Sequence, residues 1–282
     1  MFLNINIGVK YTVITTFNQS GLDTYGQRMI DTFEQYWPAD VDLLVCTENC
    51  QPRTTKPNVK IIDLLGNRPS LRDFVQRHEN NDLAHGRAGP PDVFNLKKQF
   101  RWNAVRFSYK VFSVAVCAGM VPQGWMIWLD ADSHSHSPVT ADWLSKVCPQ
   151  EAMMSYLGRG EKYHSECGWV AYNLDHAATR SFIQDFVGMY ENDAIFKERE
   201  WHDSYIWDVV RKQYQIDPKN QFHNLNPSVD DKGLAGHPFI NSELGRCMDH
   251  VKGKRKNQGH SKAKEVVLHH DVPYWQRVLK GL

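Results

Sequence analysis

Trp125–Leu129 reads WMIWL, five apolar residues with no polar break, and it runs directly into Asp130-Ala131-Asp132. The run is short, follows Pro122-Gln-Gly, and stops at an acid, which suits a strand better than a helix. A strand with no polar alternation has to be covered on both faces. That demand selects a central strand of a mostly parallel sheet with helices packed on either side, an α/β architecture.

The flanking sequence agrees. Residues 11–17 (YTVITTF), 41–46 (VDLLVC) and 59–65 (VKIIDLL) read as buried strands. Between the first two, residues 24–37 carry Met29, Ile30, Phe33 and Trp37 at helical spacing and stop at Pro38. Residues 67–92 form a polar excursion, and 94–119 read as one long helix or two consecutive ones. A short helix over 140–147 has Thr140 as N-cap. Strands follow over 153–157 and 168–173, with helices over 177–190 and 204–214. After Asp217 the pattern weakens into loops and short strands expected to close back over the sheet.

Composition limits the function classes. The 282 residues carry a net charge of +1, with 41% hydrophobic and 12% aromatic residues, so the chain is neither disordered nor a globally basic nucleic-acid binder. No apolar run approaches the ~20 residues of a membrane helix, and no secretory leader is visible, so a cytoplasmic protein is expected. The six cysteines form no CxxC pair, which points to free buried thiols rather than a zinc knuckle.

Two motifs carry chemistry. Asp130 and Asp132, one small residue apart at the carboxyl end of a central strand, lie where open α/β sheets bind ligands. Both can turn towards one divalent cation, Mn²⁺ or Mg²⁺, shared with a substrate diphosphate. The plainer alternative is a turn or helix cap. Further on, His250, Gly253 and Lys256 recur at intervals of three. The imidazole is a metal ligand, the glycine brings backbone amides close to phosphate, and the lysine is a point charge. Six basic residues and no acid occupy 252–264, which alternatively is a solvated surface segment.

A strand-ending DxD with a downstream HxxGxxK resembles the GT-A glycosyltransferases, nearest to the glycogenin-like and bacterial lipopolysaccharide galactosyltransferase group. The resemblance implies one domain over 1–282, with 11–132 the nucleotide-sugar-binding half and 133–282 the acceptor half plus a closing C-terminal segment. It implies that Asp130, Asp132 and His250 hold the metal and that Lys256 touches the diphosphate. It implies a nucleoside site at Thr15, Thr16, Phe17 and Asn18, and places Arg106 and Lys110 near the sugar or diphosphate. Glu166, Gly168 and Trp169 fit an acceptor side, with Glu166 as a sugar-binding or catalytic carboxylate. Asp203, at the start of the 204–214 helix, is an N-cap or a second catalytic carboxylate. Trp169 and Trp201 are either sugar-stacking or core. His134, His136, His260, His269 and His270 compete with His250 for the third ligand position, but only His250 has the Gly and Lys spacing.

The expected activity is sugar transfer from a nucleotide diphosphate sugar to a hydroxyl acceptor, a saccharide, lipopolysaccharide or modified DNA, with retention implied by the resemblance. A nucleotidyltransferase is the first alternative. Against it, Asn18-Gln-Ser-Gly-Leu-Asp after the first strand offers no Lys or Arg until Arg28. A non-catalytic polyanion-binding protein using 252–264 is the second.

Overall fold

The computed structural model describes residues 8–89, 96–160, 163–226, 237–268 and 270–281. The main-sheet strands are β1 (Tyr11–Asn18), β2 (Asp42–Glu48), β3 (Val59–Asp63), β4 (Trp125–Leu129), β6 (Met154–Leu157), β7 (Glu166–Asn173) and β8 (Phe222–Asn224). A separate pair joins β5 (Ser133–Ser135) to β9 (Met248–His250). The seven-stranded sheet has the order β3-β2-β1-β4-β7-β6-β8. β1 is parallel to β2 and β4, β2 to β3, and β6 to β8, whereas β7 is antiparallel to both its neighbours. Only β7 runs against the rest, so the sheet is mostly parallel, as the unbroken WMIWL run requires.

All five residues of β4 are buried. Strand alternation sends them into two cores. Trp125, Ile127 and Leu129 pack with the helices Gln27–Tyr36, Ala141–Val147 and Pro273–Leu279. Met126 and Trp128 pack on the other face with Pro69–Arg77, Ala104–Met120, Thr179–Glu191 and Asp203–Tyr214.

Element boundaries shift for local reasons. The third strand stops at Asp63, whose carboxylate accepts the Gly66 N–H at 3.1 Å and starts a helical turn. A π-helical turn, Leu22–Gly26, precedes the first long helix. Of the two readings of 94–119, two consecutive helical segments form: a 3₁₀ stretch, Leu96–Trp102, ends at Asn103, whose side chain caps Ala104–Met120 by accepting the Arg106 N–H at 3.0 Å. Thr140 caps as expected, accepting the Trp143 N–H at 3.2 Å. The helix Pro273–Leu279 in the tail was not foreseen; seven residues show too little periodicity to announce it.

All six cysteines are free and buried. Among the described residues no helix is long and apolar enough to cross a membrane.

Candidate functional site

Past the end of β4 the chain makes a tight turn in which the Ser133 N–H donates to Asp130 O at 2.9 Å. The small Ala131 side chain is buried in the turn, and the carboxylates on either side of it both reach a large cavity. β5 begins at once, and its antiparallel ladder with β9 sets Ser133 opposite His250. The Val251 N–H donates to Asp132 O at 2.9 Å, extending that clamp. The imidazole thereby arrives 118 residues along the chain from Asp132, with its Nε2 3.0 Å from Asp132 Oδ1 and 3.6 Å from Asp130 Oδ2.

Gly168 of β7 makes room for this ring. A Cβ there would lie 2.5 Å from His250 Cε1 and 2.7 Å from Nδ1. Phe239 backs the ring at a centroid distance of 5.0 Å. His237 Nε2 donates to His250 O at 2.7 Å.

The donor set fits a divalent cation. One oxygen from each carboxylate and one imidazole nitrogen converge, all within 4.8 Å of one another. Among the described residues His250 Nδ1 has no hydrogen-bond partner, and Glu166 Oε1 stands 3.8 Å from it. A carboxylate behind the far ring nitrogen suits a ligating imidazole, because it favours the tautomer that leaves Nε2 free.

Cations surround these acids. Lys256 Nζ lies 2.9 Å from Asp132 Oδ2 and 4.4 Å above the Tyr25 ring. Burial pushes the Asp132 carboxyl up, but His250 and Lys256 outweigh it and hold the group well below the usual carboxylate range. Lys110 Nζ bridges Asp130 Oδ1 at 3.0 Å and Asp203 Oδ2 at 2.7 Å and donates to Cys167 O. Burial opposes its charge, yet the two carboxylates keep its pKa above the ordinary lysine value. Trp128 Nε1 donates to Asp130 Oδ1 at 2.7 Å. Glu166 is ion-paired with Lys252; burial alone would raise its pKa, but Lys252 and then His250 bring it down to about 2.

The loop after His250 is closed by a buried carboxylate. Asp249 accepts the Ser261 N–H at 2.7 Å, the Ser261 hydroxyl at 2.6 Å and the Tyr274 hydroxyl at 2.6 Å. Residues 250–260 therefore leave and return to one anchor. Gly253 sits in this loop at φ +58°, a conformation that favours glycine.

The cavity measures about 1310 Å³. Asp130, Asp132, His250, Gly253, Lys256, Lys110, Arg106, Glu166, Gly168 and Asp203 all line it, as do Thr16, Phe17 and Asn18 from the end of β1. Thr15 and Trp169 do not. Thr15 is fully buried within the sheet, paired with Val45. Trp169 is fully buried against Trp143 at 5.9 Å in an edge-to-face contact, so it has no face for a sugar. Trp201 likewise packs on Phe196 at 4.7 Å. Asp203 is the first residue of its helix rather than the cap; His202 Nδ1 takes that role, accepting the Tyr205 N–H at 3.4 Å.

The competing histidines go elsewhere. His134 contacts Arg28 at 2.8 Å, His136 stacks on Tyr274 at 4.0 Å, His260 Nδ1 is 2.9 Å from Ser261 O, and His270 is 2.8 Å from Ile240 O. His269 lies outside the described residues.

Three further features of the cavity wall went unnoticed in the sequence. Glu48 ends β2 beside Asn18, and Thr16 Oγ1 is 3.1 Å from its Oε1. Burial raises its pKa to about 7, against the lowering effects of Thr16 and Arg106. The strand-end rule that singled out Asp130 applies equally to Glu48. Lys252 was hidden in a basic run that looked solvated. His164, Glu200 and His202 form a second cluster around the carboxylate of Glu200, which accepts from Arg101 at 2.7 Å and pairs with His202 at 2.9 Å. No motif spacing announced it.

No protein-family model and no curated protein matches the chain. Among solved structures it is similar in shape to mouse xyloside xylosyltransferase 1, at TM-score 0.43 and 10% identity, over 77% of this chain and 85% of that one. It is similar to the bifunctional glycosyltransferase WbbM, at TM-score 0.49 and 11% identity, over 99% of this chain and 52% of that one. It is also similar to the glycosyltransferase GlyE of Streptococcus pneumoniae, at TM-score 0.42 and 10% identity, over 77% and 46%. The chain thus spans about half the length of the last two.

Proposed function

We propose that this chain is a GT-A-type glycosyltransferase, which moves a sugar from a nucleotide diphosphate sugar to a hydroxyl acceptor with the help of Mn²⁺ or Mg²⁺. The observation that carries this is the convergence of Asp130, Asp132 and His250, with Lys256 beside Asp132, in a cavity of about 1310 Å³. A cation bound there supplies neutralisation of the charge that develops on a departing diphosphate. Lys256 adds a second positive charge on the same side. Thr16, Phe17, Asn18 and Glu48 line the same cavity as the acids and offer the end of the first strand to a nucleoside.

Neither Asp203 nor Glu166 stands open to an acceptor hydroxyl: Lys110 holds the first at 2.7 Å, and Lys252 is ion-paired with the second. Inversion needs a general base on the acceptor hydroxyl. The paired carboxylates therefore favour retention, with Asp203 and Glu166 serving to orient Lys110, Lys252 and the donor sugar.

The polyanion-binding alternative is weakened, because three of the six basic residues in 252–264, Lys252, Arg255 and Lys256, are engaged by Glu166, Glu265 and Asp132. The test is a thermal-shift screen of nucleotide sugars with and without Mn²⁺. A ligand at 100 times its Kd stabilises by about 2.7 kcal/mol. Asp130→Ala with Asp132→Ala should abolish the metal-dependent shift and transfer. Retention of both by that variant sinks the proposal.

A further inference from the structure

The large cavity adjoins a second cavity of about 410 Å³, and the two share Arg159, Tyr163, His164, Ser165 and Arg199 in their walls. The carboxylates at this junction are already consumed. Glu200 is taken by Arg101 and His202. Asp208, the only acid among the described residues lining the smaller cavity, accepts the Ser165 N–H at 2.8 Å, the Ser165 hydroxyl at 2.7 Å and Arg211 Nε at 2.8 Å.

Two arginines are left over. Arg159 has no carboxylate partner among the described residues and lies over the Tyr163 ring at 5.2 Å. Arg199 lies over the Tyr205 ring at 5.6 Å; among the described residues its one ion pair is to Glu200 at 3.8 Å, which Arg101 already holds, while the nearby Glu198 accepts from the Tyr205 hydroxyl at 3.5 Å. A guanidinium stacked on an aromatic face keeps its N–H edge free for an anion. Two aromatic rings at the mouth, Phe100 and Tyr163, are 50% and 49% exposed. Flat exposed rings beside spare cations suit a pyranose bearing a negative charge. A neutral saccharide is usually held through open carboxylate and amide groups, and here the carboxylates are closed.

The geometry points to an anionic saccharide as the acceptor, bound through Arg159 and Arg199 with its rings on Phe100 and Tyr163. This rests on the glycosyltransferase reading of the adjoining metal site. The shared chemistry is an oxyanion on a sugar, either the carboxylate of a uronic acid or a phosphate ester. Single-stranded nucleic acid fits less well, since it needs a longer cationic track of about 4–16 nucleotides.

The experiment is calorimetric titration of the full chain with four probes: oligogalacturonate hexamer, mannopentaose 6-phosphate, neutral maltohexaose and a dT10 oligonucleotide. One of the two charged saccharides should bind about tenfold or more tightly than maltohexaose at 50 mM salt, and the preference should shrink at 500 mM. Which charged probe wins identifies carboxylate or phosphate. Arg159→Glu with Arg199→Glu should weaken that binding about tenfold or more without lowering the melting temperature, because both side chains reach solvent. Arg159→Gln should give a smaller loss in the same direction. Equal affinity for maltohexaose, tighter binding of dT10, or charge-reversed protein that binds as before would each overturn the inference. The Mn²⁺-dependent nucleotide-sugar shift, read on the same preparation, separates the two failures. If that shift stands and the saccharide binding fails, only the acceptor assignment falls.

Discussion

Gly168→Ala is a single methyl placed against the candidate metal ligand, and its effect can be worked from the coordinates. The new Cβ would lie 2.5 Å from His250 Cε1, where ordinary contacts begin at 3.4 Å. The ring must retreat by about 1 Å, since a close-packed interior has no slack to absorb the overlap. Phe239, fully buried, packs on the ring at a centroid distance of 5.0 Å and leaves it little freedom to move. Overpacking of this kind costs about 1–3 kcal/mol. For a domain of this size each kcal/mol lowers Tm by about 2–4 °C, so a fall of about 2–12 °C is expected in EDTA. The Nε2 atom also leaves its place between Asp130 and Asp132. Disturbing what orients a ligand typically weakens metal affinity about 10–100-fold. Manganese titration followed by electron paramagnetic resonance reads this directly. Gly188→Ala is the control, because its Cβ would meet only Asn192 Nδ2 at 3.6 Å in the helix Thr179–Glu191. It should stabilise by about 0.4–1 kcal/mol. If Gly168→Ala binds Mn²⁺ as tightly as the parent, His250 is not a ligand held in place by the missing side chain.

Other perturbations have equally definite outcomes. Lys110→Ala leaves Asp130 and the buried Asp203 without their cation and should cost about 3–5 kcal/mol in urea denaturation; a loss under 1 kcal/mol would mean that the pairing is idle. Glu48 has a raised pKa, about 7 against an ordinary 4.5, so its contribution is full below about pH 4.5 and is lost as pH rises to about 7. Glu48→Gln should therefore flatten the fall of Tm across that window and melt higher than the parent at pH 8; an unchanged slope refutes the burial argument. Asp249→Asn weakens an anchor that now accepts three hydrogen bonds and should cost about 1–3 kcal/mol. Amide exchange across residues 251–260 should accelerate in that variant, and uniform protection would show that the loop is held by something else.

The parts of this molecule that were legible in the sequence share a local cause. Trp125–Leu129 is apolar at every position, so its double burial follows from its own side chains. Thr140 caps the helix beginning one residue later, an interaction within three residues. Asp130, Asp132 and His250 were visible because strand-end acids and regular spacing are themselves local patterns. What was missed depends on partners far along the chain. Lys252 looked like one charge in a solvated run until Glu166, 86 residues away, was placed beside it. Trp169 stayed open between sugar-stacking and core because exposure is set by Trp143 and the sheet around it, not by its neighbours in sequence. Thr15 and Thr16 differ by one position, yet the pleat buries one and opens the other to the cavity. Glu48 ends its strand just as Asp130 follows its own, so the strand-end pattern was there to be read, but only the β1–β2 pairing sets it beside Asn18.

The pairing of β5 with β9 also has a consequence during synthesis. Asp132 leaves the ribosome 118 residues ahead of His250. At about 5–20 residues per second the nascent chain carries its two acids for about 6–24 s before their late partners exist. Lys110, made 20 residues before Asp130, is the cation already at hand during that interval. The growing chain thus carries an internal counter-ion from the start but brings all three candidate ligands together only when β9 docks. On the proposed reading, tight metal capture would report that the polypeptide has been made through His250 and has closed upon itself.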